Sequence, residues 1–298
     1  MITPPEDISE KIKSIGNKFN HEVVKEIYKI YIPLLRKINN DHIHVKKDIS
    51  YGESDRNILD IHYCKDTNKK NMPAVIYLHG GGFTGGNKNA LPDEPELIHG
   101  NIANYFVNNG FIGINATYRL APEHKYPSGA EDVSKIIKFL IENSKKFGIS
   151  KDKIFLFGQS AGASHVASYL FNNSPTIPES GNLAGCILFS GAYDLNLVNS
   201  NTIENYYGKN RNLYSEMSSI NFIKKKCCPL YIFTSEFDPP VFKEQGKNFY
   251  EKLKNEGHKV NHKIIPGHNH ISQVIHLNTD DRSVGPYLIE FMKNIIAN

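Results

Sequence analysis

The sequence holds no run of the 18 or so consecutive apolar residues that a membrane-spanning helix needs. Its opening, Met1-Ile2-Thr3-Pro4-Pro5-Glu6-Asp7, has neither a basic start nor an apolar stretch. Neither a membrane span nor a secretory signal is therefore expected. Cysteine is scarce: Cys64, Cys186, Cys227 and Cys228 are the only four in 298 residues, and no two have CxxC spacing. That argues against a disulfide framework and reads as reduced thiols in a cytoplasmic enzyme. Charge of one sign is not in excess either. The 35 basic and 31 acidic residues leave a net +4, well mixed along the chain. A nucleic-acid partner, which needs a concentrated basic face, is not expected. Internal repeats and low-complexity segments are missing too.

What is present is a globular composition, 40% hydrophobic and 11% aromatic. Between residues 8 and about 40 apolar positions recur at helical spacing. Ile8, Ile12, Ile15 and Phe19 come first, then Val23, Val24, Ile27, Tyr28 and Tyr31, with Asn20 placed to cap the second stretch and Pro33 interrupting it. From His42 the pattern changes. Residues 42–49 and 57–63 alternate polar and apolar side chains, as half-solvated antiparallel strands do.

Short apolar runs follow at 74–78, 112–115, 154–157, 186–189, 230–234 and 259–265. Amphipathic helical stretches separate most of them, the clearest carrying Val133, Ile136, Ile137, Leu140 and Ile141 on one face. Strands buried on both sides and joined by helices imply an α/β fold, with a mostly parallel sheet covered by helices on both faces. The expected division is a small helical cap at 1–40 and a catalytic domain at 41–298. In such sheets ligands bind beyond the carboxyl ends of the strands, so motifs located there carry the most information.

Gly158-Gln159-Ser160-Ala161-Gly162 directly follows one apolar run and opens a helical stretch. A G-x-S-x-G sequence in that context predicts a sharp strand-to-helix turn that thrusts the serine hydroxyl above the sheet. The competing reading is a serine that merely caps a helix. His79-Gly80-Gly81-Gly82-Phe83 follows the run at 74–78. Consecutive glycines let bare amides approach a substrate, so the N–H groups of Gly81, Gly82 and Ala161 are candidates for an oxyanion hole. A phosphate-binding turn is the alternative, but no GK[ST] accompanies the run.

Serine needs a base, and the base needs an acid to orient it. In this fold they follow in the order serine, acid, histidine. Asp238 lies just past the run at 230–234. Its neighbour Glu236 sits closer to the strand. For the base, the segment Pro266-Gly267-His268-Asn269-His270 offers two histidines that spacing alone hardly separates. His268 and His270 also admit reading as a metal pair, but no further ligands at suitable spacing are evident, and neither a metal nor a cofactor is expected.

Together HGGGF at 79–83, the segment Tyr118-Arg119-Leu120-Ala121-Pro122-Glu123-His124-Lys125-Tyr126-Pro127, GQSAG at 158–162 and the cluster Glu236-Phe237-Asp238-Pro239 resemble the α/β-hydrolase superfamily. Within it they resemble the hormone-sensitive-lipase-like esterases, over roughly residues 50–295. The resemblance implies that His270, fourth in a G-x-x-H stretch beginning at Gly267, is the base. It also implies that the YRLAPE segment supports the oxyanion loop, often through cis peptides at its prolines. Two positions depart from the pattern: Gln159, where acidic residues or histidine are frequent, and residues 268–272, which lack the HGF continuation. Tyr51-Gly52 followed by Ile58-Leu59-Asp60-Ile61 looks like the branch containing small carboxylesterases and arylformamidases.

The resulting expectation is a carboxylesterase-type serine hydrolase acting on a small-molecule ester, with Ser160, Asp238 and His270 as its triad. Phe83, Tyr28, Tyr31, Phe237 and Ile271, with help from Tyr206 and Tyr207, are candidates for the substrate pocket, and ordinary core packing is the alternative for each. An arylformamidase using the same residues is the second reading, and a non-catalytic ligand receptor the third. A homodimer is compatible with all three.

Overall fold

The computed structural model describes residues 4–65, 70–177, 183–223 and 227–297. The first three residues of the expected cap lie outside them. One sheet of eight strands organises the chain: β1 (Ile43–Ser50), β2 (Ile58–Cys64), β3 (Met72–Leu78), β4 (Ile112–Ala116), β5 (Ile149–Gln159), β6 (Gly185–Phe189), β7 (Leu230–Phe237) and β8 (Val260–Asn269). Their order is β1-β2-β4-β3-β5-β6-β7-β8. β1 pairs antiparallel with β2 and β2 with β4, while every pairing from β4 through β8 is parallel. The alternating pair at 42–63 thus forms the antiparallel edge.

The helices are α1 (Glu6–Ile15), α2 (His21–Leu35), α3 (Asn101–Asn108), α4 (Ser128–Glu142), α5 (Ser144–Phe147), α6 (Ala161–Leu170), α7 (Asn201–Tyr207), α8 (Tyr214–Met217), α9 (Pro240–Asn255), α10 (Ser272–Ile275) and α11 (Gly285–Ala297). Successive residues of β3 feed opposite faces of the sheet, as strand geometry requires. Ala74, Ile76 and Leu78 pack with Val133, Ile136 and Ile137 of α4, Val166 of α6 and Phe249 of α9. Val75 and Tyr77 pack with Ile12 of α1, Ile27 of α2, Phe106 of α3 and Met292 of α11. Each buried Val, Leu, Ile, Phe or Met among them contributes about 1.5–3 kcal/mol of transfer free energy. The first two helices therefore extend the core on one face.

Asn20 caps α2 by accepting from the Val23 N–H at 2.9 Å. Pro33 does not end that helix, which runs two residues further to Leu35. β8 also runs beyond its apolar stretch, through Pro266 and Gly267 to Asn269. The β7–β8 register shifts between Ser235 and Phe237 and resumes with Phe237 opposite Asn269. Gly267 stands at φ +71°, where a Cβ would meet Pro4 Cδ at 2.8 Å. This irregularity has a consequence for chemistry. Phe237 and Asn269 are paired neighbours, so the next residue on each strand, Asp238 and His270, emerge side by side.

Candidate active site

Ser160 occupies the turn between β5 and α6 at φ 54°, ψ −117°. A non-glycine residue there costs on the order of 1–3 kcal/mol and persists only because the surroundings impose it. Glycine on either side makes the turn feasible. A Cβ on Gly158 would meet Ala163 Cα at 2.6 Å, and one on Gly162 would meet the Leu78 carbonyl at 2.2 Å. The Ser160 N–H donates to the Phe189 carbonyl at 2.8 Å, tying the turn to β6.

The structure brings the three expected triad positions together. Ser160 Oγ lies 2.9 Å from His270 Nε2, and His270 Nδ1 lies 2.7 Å from Asp238 Oδ1. A carboxylate can only accept, so Nδ1 carries the proton and Nε2 is left to accept from the serine. Asp238 has no exposed surface, and its second oxygen accepts from Ser190 Oγ and from the Ser235 N–H, both at 2.6 Å. Glu236 is turned elsewhere: its carboxylate accepts from the Gly267 N–H at 2.8 Å and steadies the irregular pairing of β8. His268 is likewise apart from the serine, within 3.0 Å of Ser272 Oγ and 2.8 Å of Ser283 Oγ.

The glycine loop after β3 lies against this turn. Gly81 and Gly82 adopt φ +139° and +59°, and a Cβ on Gly80 would strike Gln159 Oε1 at 2.3 Å. Ala161 opens α6, where the first amides of a helix have no partner within it. The segment 118–127 braces the loop. Tyr118 Oη donates to the His79 carbonyl at 2.6 Å, the Ala121 N–H to the Phe83 carbonyl at 3.0 Å, and the His79 ring stacks on Tyr118 at 4.5 Å. Burial pushes the His79 imidazole well below its ordinary pKa, so it stays neutral. Arg119 holds the segment to α4 through Asp132 and Glu131, each at 2.9 Å. The peptides before Pro122 and Pro127 are both cis.

The aromatic candidates separate. Phe83 is buried beside Ala161, stacked on Tyr206 with ring centroids 4.8 Å apart and edge-on to Tyr207 at 5.4 Å. Phe237 and Ile271 are half-buried against the core on the α11 face, as is Tyr28. Tyr31 has no exposed surface at all and is a core side chain rather than a pocket wall. It lies on the inner stripe of α2 with Val23, Ile27 and Leu35, which faces the sheet. The N-terminal segment meets the site through Phe19 instead. This residue, 46% exposed, sets its ring 4.5 Å from the ring of His270. Phe242 stacks on His270 at 4.3 Å. Sequence reasoning missed Phe242, Ser190 and Gln273, and read Phe19 only as a helix position. Gln273 Nε2 donates to the His270 carbonyl at 2.8 Å, while its Oε1 accepts from Ser235 Oγ at 2.9 Å.

A buried serine–histidine–aspartate line at the carboxyl ends of a parallel sheet defines a serine hydrolase of the α/β-hydrolase class. The chain belongs to the BD-FAE family, which matches residues 59–253. It is similar to a kynurenine formamidase of Danio rerio, 26% identical over 76% of this chain and 74% of that protein. It is also similar to the esterase LipQ of Mycobacterium tuberculosis, 28% identical over 75% of this chain and 56% of that one. Among solved structures, the esterase of the archaeon Pyrobaculum calidifontis shares the fold with a TM-score of 0.74, 19% identity, and coverage of 99% of this chain and 100% of that chain. A carbohydrate esterase from gut microbiota does so with a TM-score of 0.73, 20% identity, and coverage of 88% and 99%.

Proposed function

We propose that this chain hydrolyses carboxylic esters of small or medium acyl or aryl groups through an acyl-enzyme on Ser160. The observation that carries this reading is the hydrogen-bonded line from Asp238 through His270 to Ser160, 2.7 and 2.9 Å long, beside a glycine loop. His270 Nε2 takes the hydroxyl proton as Ser160 Oγ attacks the ester carbonyl carbon. The carbonyl oxygen becomes an oxyanion that the N–H groups of Gly81, Gly82 and Ala161 receive. The proton on Nε2 then passes to the departing alkoxide, which leaves as the alcohol. Water gives a proton to Nε2 and attacks the acyl carbon, and collapse of the second intermediate releases the acid and restores the serine hydroxyl. Asp238 stays ionised and fixes the imidazole tautomer throughout.

Residues 1–40 act as a small cap on the catalytic domain at 41–298, a role supported by Phe19 reaching His270. Cys186, Cys227 and Cys228 form no disulfide, which supports a cytoplasmic address. No described helix is long and apolar enough to cross a membrane.

A second reading, an arylformamidase working through the same residues, is favoured by the similarity to kynurenine formamidases of Danio rerio and Salmo salar. Turnover of p-nitrophenyl acetate and butyrate compared with that of an N-formyl arylamine separates the two. Faster hydrolysis of both esters is expected. Faster cleavage of the formamide would make the amidase reading the correct one, and inertness toward all three would point to a non-catalytic ligand receptor.

A further inference from the structure

Within the segment 268–281, which also carries His270, three buried groups converge that the reaction does not use. His268 and His276 have no exposed surface and Asp281 is 6% exposed. One donor atom of each lies within 4.8 Å of the other two, and the imidazole rings pack with centroids 4.2 Å apart.

The surrounding hydrogen bonds orient all three. His276 Nδ1 is 2.9 Å from the Ser272 carbonyl, which can only accept, so Nδ1 holds the proton and Nε2 presents a lone pair. His268 Nδ1 is 3.0 Å from the Oγ of the same Ser272, and its Nε2 faces Ser283 Oγ at 2.8 Å and Asp281 Oδ2 at 3.2 Å. Ser283 holds the other oxygen of Asp281 through both its N–H, at 3.0 Å, and its hydroxyl. Within this cluster His276 Nε2 is buried without a hydrogen-bond partner. An electron-rich atom left unpaired in a buried site is costly unless an electrophile lies against it.

We propose that His268, His276 and Asp281 bind one divalent transition-metal ion of the zinc type. Two imidazole nitrogens and one carboxylate oxygen are the donor set such ions take. Tetrahedral ligands about 2.0–2.1 Å from zinc stand about 3.4 Å apart, close to the 3.2 Å between His268 Nε2 and Asp281 Oδ2. Each imidazole also has its far nitrogen held by a hydroxyl or carbonyl, the outer-shell arrangement that fixes ligating histidines. The ion would pin the segment 268–285 on which His270 is carried. It uses His268 with His276 and Asp281, not with His270.

The test is cobalt(II) and zinc(II) titration of the tag-free full chain after chelator dialysis, followed by metal analysis of the gel-filtered protein. One ion per chain is expected, with a rise in melting temperature. The cobalt form should show tetrahedral visible absorption and two exchangeable, strongly shifted imidazole N–H resonances, one from each histidine. His276→Gln and Asp281→Asn should abolish stoichiometric binding, and Ser272→Ala should weaken it by about 10–100-fold. Failure of the folded wild-type chain to bind either ion would overturn the proposal, as would binding unchanged in both His276→Gln and Asp281→Asn. The two resonances are read on the wild-type protein, so the test stands even where a variant fails to fold. None of these readouts depends on ester turnover.

Discussion

The carboxamide of Gln159 donates to the main-chain carbonyl of His270 at 3.0 Å, joining the residue before Ser160 to the residue whose imidazole Nε2 lies 2.9 Å from the Ser160 hydroxyl. Gln273 donates to the same carbonyl at 2.8 Å, so two amides hold the base. Gln159→Ala should lower kcat by several-fold with little change in KM, and should cost about 1 kcal/mol of stability for the lost bond. Gln159→Ala combined with Gln273→Ala should lose more than the sum of the two, because either amide alone still holds the carbonyl. Steady-state kinetics with urea unfolding check both statements, and strict additivity would contradict the shared role.

Gly81 has no room for a methyl group. A Cβ there would come within 2.1 Å of the Gly85 carbonyl oxygen, a backbone atom that moves only if the loop moves. Gly81→Ala should therefore displace the loop amides and lower kcat by about 100–1,000-fold, the loss seen when one oxyanion donor is removed. Far-UV circular dichroism should stay native. Gly110 is the contrast: it also has positive φ, at +90°, but nothing lies within 4 Å of the place a Cβ would take. Gly110→Ala should cost about 1 kcal/mol through backbone strain alone and leave kcat intact.

Phe19 is an exposed aromatic beside His270, and their contact crosses from the first 40 residues to the turn that follows the last strand. Removing a half-buried aromatic contact of this kind should cost about 1 kcal/mol of substrate binding. Phe19→Ala is expected to raise KM for p-nitrophenyl butyrate by about fivefold and for the acetate by less. Equal effects on both esters would mean that the ring does not touch the acyl chain.

Two buried histidines set a pH limit on stability. Desolvation pushes His99 down to about 4 and His165 down to about 3. The unfolded chain titrates these groups near 6.5, so below that pH it binds more protons than the folded one. Each group leaves stability unchanged above pH 6.5 and removes up to about 1.4 kcal/mol per pH unit below it, until its folded pKa is reached. The urea midpoint should be flat from pH 7 to 8 and fall steeply from 6.5 to 5. His99→Asn should flatten that fall.

Local motifs were legible in the sequence because local geometry produces them. The serine turn needs only a strand, small neighbours and a helix, all within 149–170. Glu236 and Asp238, two residues apart, share a side of a regular strand, so what set Asp238 apart was its place just past the strand's carboxyl end. His268 and His270 were not separable that way, and the resemblance to a family was needed to favour one. The reason is physical: Pro266 and Gly267 read as strand breakers, whereas β8 runs through them with a register shift that sets Phe237 opposite Asn269. That shift follows from pairing between strands about 30 residues apart and leaves no local trace. Phe19, Ser190 and Gln273 reach the site by the same long-range route. Tyr31 misled because an aromatic on a helical stripe looks alike whether it faces a pocket or the sheet.

If Ser160 is the nucleophile of a covalent reaction, an electrophile that mimics the ester will become bonded to it. The purified chain would be treated with a p-nitrophenyl alkylphosphonate, and the site of attachment read by intact mass and peptide mapping. One phosphonyl group per chain on Ser160 is predicted, with loss of ester turnover in parallel and no labelling of Ser160→Ala. An unlabelled, folded wild-type chain, or a label that maps to another residue, would contradict it.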